Sequence, residues 1–187
     1  MTLDTRSKLL NAAHSIVLAK GIVNLTLEEV ARAAHVSKGG LLYHFPSKES
    51  LVQAMLDRAL TSFEQQIARL RGEDRTPGSW LRAYIRASLQ DLGRTENDLP
   101  TIGSALLASL GTNPALANPY MEHLRTWIQQ ATGDGLDPWM AQTIRLAVDG
   151  LWMHDSLGLT PYTEPERHRL IERLLSLASI HERTQVT

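Results

Sequence analysis

The chain has no cysteine in 187 residues. Disulfides and thiolate-held metals are therefore excluded, and the composition suits a reducing compartment. It has no window approaching the roughly 18 to 20 consecutive apolar residues of a membrane span. Its first residues, MTLDTRSKLL, lack the apolar run of a signal peptide. A soluble, cytoplasmic chain with no membrane partner is expected. Strand-like alternation is missing too, because apolar residues recur at helical spacing almost throughout. Glycine and proline are modest at 12 and 8, no segment is low-complexity, and 43% of residues are apolar, enough for a core.

Catalytic signatures are also missing. Neither the phosphate-binding Gly-x-x-x-x-Gly-Lys-Ser/Thr pattern nor Gly-x-Ser-x-Gly occurs. The nearest fragment is His154-Asp155, but adjacent helical residues point about 100° apart and do not form a base–orienter pair. Gly158 stands where a second metal ligand to His154 would be needed. No enzyme, cofactor or metal site is expected.

The net charge of −1 hides an asymmetry. Residues 1–48 hold six Lys/Arg against three acids, a net +3, and residues 49–187 hold thirteen Arg against seventeen acids, a net −4. A basic head on an acidic body suits a chain whose first part meets phosphate.

Capping and breaking signals divide the chain into about nine helices, an all-α fold. The first runs from Thr5 to Lys20 with Leu9, Ala13, Ile16 and Val17 inward, and Gly21 stops it. Thr26 and Glu29 form a capping-box pattern for a helix from Leu27 to near Ala34. Ser37 caps a helix to about His44, and Ser47 a long one to about Arg71. A fifth begins near Pro77 and ends near Leu92, and a sixth lies within 97–110. Asn113-Pro114 and Asp137-Pro138 each pair a capping residue with proline at the first helical position. The box Thr163-x-x-Glu166 opens a last helix to about His181. The functional division falls between residues 1–47 and 48–187.

The stretch TLEEVARAAHVSKGGLLYHFPSKESL, Thr26 to Leu51, reads as two short helices joined by a tight turn and the start of a third. A helix that reads bases must enter a major groove about 12 Å wide with its N-terminal residues toward base edges. Ser37-Lys38-Gly39-Gly40 opens such a helix. Glycines let the backbone approach closely, at a cost of roughly 1 kcal/mol each in helix stability. Tyr43 and His44 follow, each able to donate to a phosphate oxygen. Thr26 and Lys48 stand at helix starts, where unpaired N–H groups favour an anion. Val30, Ala31, Ala34, Val36 and Leu41 would join the helices from inside, with Phe45 in the core. Singly, these residues fit any helical hairpin; their ordered combination points to DNA.

Thr26, Val30, Ala31, Ala34, Val36, Ser37, Gly39, Leu41, Tyr43, Phe45, Ser47, Lys48, Glu49 and Leu51 together resemble the DNA-binding signature of TetR/AcrR transcriptional regulators. The resemblance covers about a quarter of the chain. It departs at His35, where many relatives have glycine; histidine tolerates a left-handed backbone better than a β-branched residue would. The resemblance implies DNA contacts at Thr26, Ser37, Lys38, Gly39, Gly40, Tyr43, His44 and Lys48. It further implies a homodimer on a palindromic double-stranded operator, most often a repressor, released by a small apolar molecule bound in a helical second domain. A DNA-binding adaptor or activator with the same head and no ligand remains the alternative.

In that second domain Ala147-Val148-Asp149-Gly150-Leu151-Trp152, with Leu157-Gly158, looks like one subgroup of the family's C-terminal domains. Aromatics supply broad walls with polar handles. Trp80, Tyr84, Trp127, Asp149, Trp152 and Met153 are the ligand-binding candidates, although tryptophan in a helical domain more often serves a core. A buried Asp149 fits either a cationic ligand or a structural hydrogen bond, so the ligand's charge stays open. Leu170, Leu174 and Leu177, with a second edge of Ile171, Leu175 and Ala178, make a wide apolar face. That width suits both the chain's own core and a partner copy.

Overall fold

Most of the described helices begin where a short polar side chain meets an unpaired backbone N–H. In the computed structural model, which describes residues 4–89, 103, 114–159 and 161–179, Asp4 accepts from the Ser7 N–H at 2.6 Å and opens α1, Thr5–Lys20. Gly21 closes it at φ 77°, its N–H on the Val17 carbonyl at 2.8 Å. Thr26 accepts from the Glu29 N–H at 3.2 Å and opens α2, Leu27–Ala33. Only half of the expected box forms, because the Glu29 carboxylate pairs with the Lys20 ammonium instead of turning back on Thr26. Ser37 accepts from the Gly40 N–H at 3.1 Å and opens α3, Lys38–His44. Ser47 and Ser50 exchange backbone-to-hydroxyl bonds, each 3.1 Å, at the start of α4, Lys48–Arg71.

The later helices are α5, Ser79–Leu89; α6, Pro114–Thr132; α7, Pro138–Ser156; and α8, Glu164–Leu177. Asp137 caps α7 through the Met140 N–H at 2.8 Å, and the Thr163/Glu166 box caps α8. The helix expected within 97–110, the reading of helix five as far as Leu92, and His181 lie outside the described residues. α8 ends at Leu177 in a turn, and the Ala178 carbonyl accepts from Arg82 Nη1 at 2.9 Å. Among the described residues there are eight α-helices, no strand, and no helix long and apolar enough to cross a membrane.

Caps set the ends, contributing about 1 kcal/mol each. Burial holds the helices together, at about 1.5–3 kcal/mol per large apolar side chain. Packing groups the described residues of 1–61 and 95–120 into one unit and those of 62–94 and 121–187 into another. The division falls inside α4 and is a separate matter from the functional boundary expected at 47/48. In the first unit α1 packs on α2 and α2 on α3, over Leu9, Leu25, Val30, Leu41, Phe45 and Leu51, all within 2% of complete burial. Arg58 of α4 donates to Asn11 Oδ1 at 2.7 Å and to the Leu10 carbonyl at 3.2 Å, which fastens the first half of α4 to α1.

In the second unit α5 packs against α7 and α8, with Leu81, Ile85, Leu89, Ile144 and Val148 buried. The start of α5 is capped from far along the chain: Asp134 accepts from the Leu81 N–H at 2.9 Å. The Asp134 carbonyl takes the Gly78 N–H at 2.7 Å. Gly78 has φ +79°, and a Cβ there would stand 1.9 Å from the Ala178 carbonyl oxygen. Gly78→Ala should therefore lower folding stability by about 2 kcal/mol or more, seen as a reduced urea midpoint. An unchanged midpoint would contradict this crossing of backbones.

Candidate nucleic-acid interface and ligand cleft

The turn between α2 and α3 depends on one residue. His35 adopts φ 55°, the left-handed region, and reverses the chain so that the Val36 N–H reaches the Ala31 carbonyl at 2.9 Å. Histidine thus serves where glycine would be easier. α3 then buries Leu41, and Phe45 follows it into the core. At about 100° per residue this turns Gly39 and Tyr43 outward; Lys38, the first residue of α3, is exposed as well. Tyr43 is 85% exposed, a solvation that the packing of the unit does not call for. His44 is half-buried, its ring edge-on to Tyr43 at 5.2 Å.

The remaining candidates at this face already have protein partners. The Thr26 and Ser37 hydroxyls are caps. Lys38 Nζ lies 2.6 Å from Glu28 Oε1, and that hydrogen bond and the lysine charge hold the Glu28 carboxyl below its usual range. Lys48 Nζ donates to the Val23 carbonyl at 3.0 Å. An exposed ion pair is weak and salt-screened, so Glu28 holds Lys38 only loosely. The two glycines differ. A Cβ at Gly39 would meet nothing within 4 Å, whereas one at Gly40 would stand 3.0 Å from Val36 Cγ1 and 3.2 Å from Ser37 Oγ. Gly39 leaves backbone open to an incoming surface; Gly40 is small because the turn packs against it.

The second unit holds a cleft of about 330 Å³ whose walls include Glu64, Ile67 and Arg71 of α4, Trp80 of α5, and Trp127 of α6. An aromatic cluster backs it. Phe63 meets Tyr84 and Trp127 edge-on at 5.6 and 5.2 Å, and Tyr84 stacks on Trp80 at 5.1 Å. Glu64 Oε1 accepts from the Trp127 Nε1–H at 3.1 Å and lies 2.7 Å from His123 Nδ1. Deeper, the Tyr84 hydroxyl donates to Asp149 Oδ1 at 2.5 Å, and buried Arg145 pairs with Oδ2. Burial pushes the Asp149 carboxyl up, partly offset by the Tyr84 hydrogen bond and the Arg145 charge.

Residues 9–55 match the model of bacterial regulatory proteins of the tetR family, and residues 78–179 match the tetracyclin repressor-like C-terminal domain. The chain belongs to the TetR family. Its first unit therefore carries that family's DNA-binding helix-turn-helix. The transcriptional regulator UidR of Escherichia coli (strain K12) is 36% identical over 67 residues, 34% of this chain and 34% of UidR, so the match spans about a third of that relative's length. A transcriptional regulator from Rhodococcus sp. Rha1 has the same fold, with TM-score 0.77 at 20% identity over 94% of this chain and 96% of that one. The multidrug binding protein EbrR, solved with ethidium, aligns with TM-score 0.67 at 25% identity over 91% of this chain and 98% of its own.

Of the ligand candidates, Trp80 and Trp127 line the cleft and Tyr84 backs Trp80. Asp149 sits in an internal hydrogen-bond network, while Trp152 is half-buried and Met153 exposed on α7, both away from the cleft walls. Sequence reasoning missed Glu64, Arg71 and Arg75, which also line it. The spacing of Glu64, Ala68 and Arg71 was a readable signal of one helix face, but not of what that face meets. Among the dimer candidates, Leu170 is partly exposed and Leu174 and Leu177 are half-buried. A second stripe, Trp139, Leu146, Met153 and Leu157, lies exposed on and just beyond α7. It escaped notice because tryptophan was read as core or pocket wall. On stability, Gly39→Ala should gain up to about 1 kcal/mol from helix propensity, while Gly40→Ala should gain less or lose. Thermal melts that rank them the other way would contradict the assigned surroundings.

Proposed function

We propose that the protein binds a palindromic operator as a homodimer, with α3 of each copy in the major groove, and lets go when a small molecule occupies the cleft of the second unit. The observation that carries this is the outward face of α3. Gly39 and Tyr43 are exposed opposite the buried Leu41, and Lys38 is exposed at the helix start. Tyr43, His44 and Lys48 would hold phosphates and fix register; Lys38 and the open Gly39 backbone would approach bases; Thr26 and Ser37 would offer helix starts to phosphate. Gly40 would keep the turn tight enough for that approach.

The body supports a ligand-responsive regulator over an adaptor without ligand. A cleft of about 330 Å³ with two tryptophans and three charged groups lies within the size of small-molecule sites. EbrR, a relative in fold, is a multidrug binding protein solved with ethidium. Repression is the direction the family resemblance implies. α4 links the two functions: its first turn carries Lys48, and its last turns line the cleft. A ligand that favours one position of α4 by 1–3 kcal/mol changes DNA affinity about 5- to 150-fold.

The dimer face would combine the partly exposed Leu170, Leu174 and Leu177 with the α7 stripe. Leu146→Glu, at a site 60% exposed in the single chain, should leave the monomer folded and halve the mass in solution. A dimer that persists would place the interface elsewhere.

Fluorescence anisotropy with the intergenic DNA beside the protein's own gene tests the DNA reading. Saturable binding should be lost in Tyr43→Ala. Lys48→Ala should weaken binding to all sequences alike and flatten the salt dependence by roughly one phosphate contact per subunit. Equal affinity for random DNA, or no loss in either variant, would sink the proposal.

A further inference from the structure

The cleft carries a charge pattern that names a ligand class. Glu64 and Arg71 are seven residues apart on α4, so they lie on one face and about 10 Å apart along the axis. Ile67 and Ala68 occupy the wall between them, and Trp80 and Trp127 line the same space. The cleft thus has apolar and aromatic walls, with Thr126 and Gln130 beside them and a charged group at either end of the α4 face.

The two ends differ. At the far end of α4, Arg75 Nη1 donates to the carbonyls of Gly72 and Asp74 at 2.8 and 2.9 Å, and no carboxylate pairs with it among the described residues. The nearby Asp74 carboxylate is taken by Thr76 and Arg82. Arg71 Nε donates to Ser79 Oγ at 3.0 Å, and its Nη2 is only loosely paired with Asp134 at 3.5 Å. This end presents two guanidiniums, Arg75 without a carboxylate partner among the described residues and Arg71 with a loose one. At the other end Glu64 is already served by the Trp127 N–H, with His123 2.7 Å away. Both contacts fall on Oε1, so Oε2 can accept from a further donor such as a hydroxyl.

We infer that the cleft takes an elongated aromatic acid, its carboxylate at Arg71 and Arg75 and a hydroxyl-type donor at Glu64, about 10 Å away. The inference rests on the ligand-responsive reading above. It gives the effector an acidic group, beyond the apolar character the family resemblance implies.

Isothermal titration of the full chain with three matched probes tests it: para-hydroxycinnamate, its neutral methyl ester, and the cationic tyramine. The acid should bind roughly tenfold or more tightly than either analogue, the loss expected when a charge-assisted pair goes. Cinnamate, without the hydroxyl, should bind more weakly than its hydroxylated form. Arg75→Gln, at an exposed residue, should weaken the acid roughly tenfold and leave the ester unchanged; Arg71→Gln is less clean, because Arg71 also faces buried Asp134. Tighter binding of tyramine, an unaffected acid in Arg75→Gln, or no binding of any probe at millimolar concentration would overturn the inference. Operator release is measured separately. Acid binding without release would uphold this site and count against the regulatory reading alone.

Discussion

Everything at the DNA-facing end depends on the burial of Leu41 and Phe45. α3 has seven residues and two glycines, and a helix that short has no independent stability in water. It exists because those two side chains enter a core already made by α1 and α2. Once they are buried, helical geometry turns Gly39 and Tyr43 outward, and Lys38 is exposed at the helix start. His35 completes the arrangement by accepting a left-handed backbone in the turn that aims α3.

The second unit has its own constraint, centred on α5. Its N-terminus is capped by Asp134 from beyond α6, and Arg82 ties its first turn to the end of α8 through the Ala178 carbonyl. Arg167 of α8 donates to the Leu89 carbonyl at the described end of α5 and pairs with Asp155 of α7. These polar groups are buried or half-buried and satisfied by partners, so they specify one arrangement of helices. Trp80, on α5, is thereby held as a fixed wall of the cleft.

α4 takes part in both units. Its first half is fastened to α1 by Arg58, and its second half supplies Glu64, Ile67, Ala68 and Arg71 to the cleft. On the proposed reading, ligand and operator bias the same helix, and their effects on each other must then be equal in free energy. The arginine end of the cleft is built from the last turn of α4 and the loop after it. A bound acid would act on the end of α4 remote in sequence from Lys48.

Much of this was legible in the sequence. The starts at Ser37, Ser47, Asp137 and Thr163 were legible because capping is local: the first three accept from N–H groups three residues away, and Thr163 donates to Glu166. The buried stripe of α1 and the left-handed turn at His35 followed from periodicity and backbone sterics, which are also local. The signature of the DNA-binding half was legible for the same reason, since its spacing spans only the helix-turn-helix. Tertiary structure alone decided what each helix face meets. It tied Glu29 to Lys20, set Gly40 apart from Gly39, and brought Asp134 to the start of α5. It also placed Asp149 in a network with Tyr84 and Arg145, and gathered Glu64, Arg71 and Arg75 around two tryptophans. Those partners are distant in the chain or depend on how helices face one another, and helical periodicity records which residues share a face but not what that face will touch.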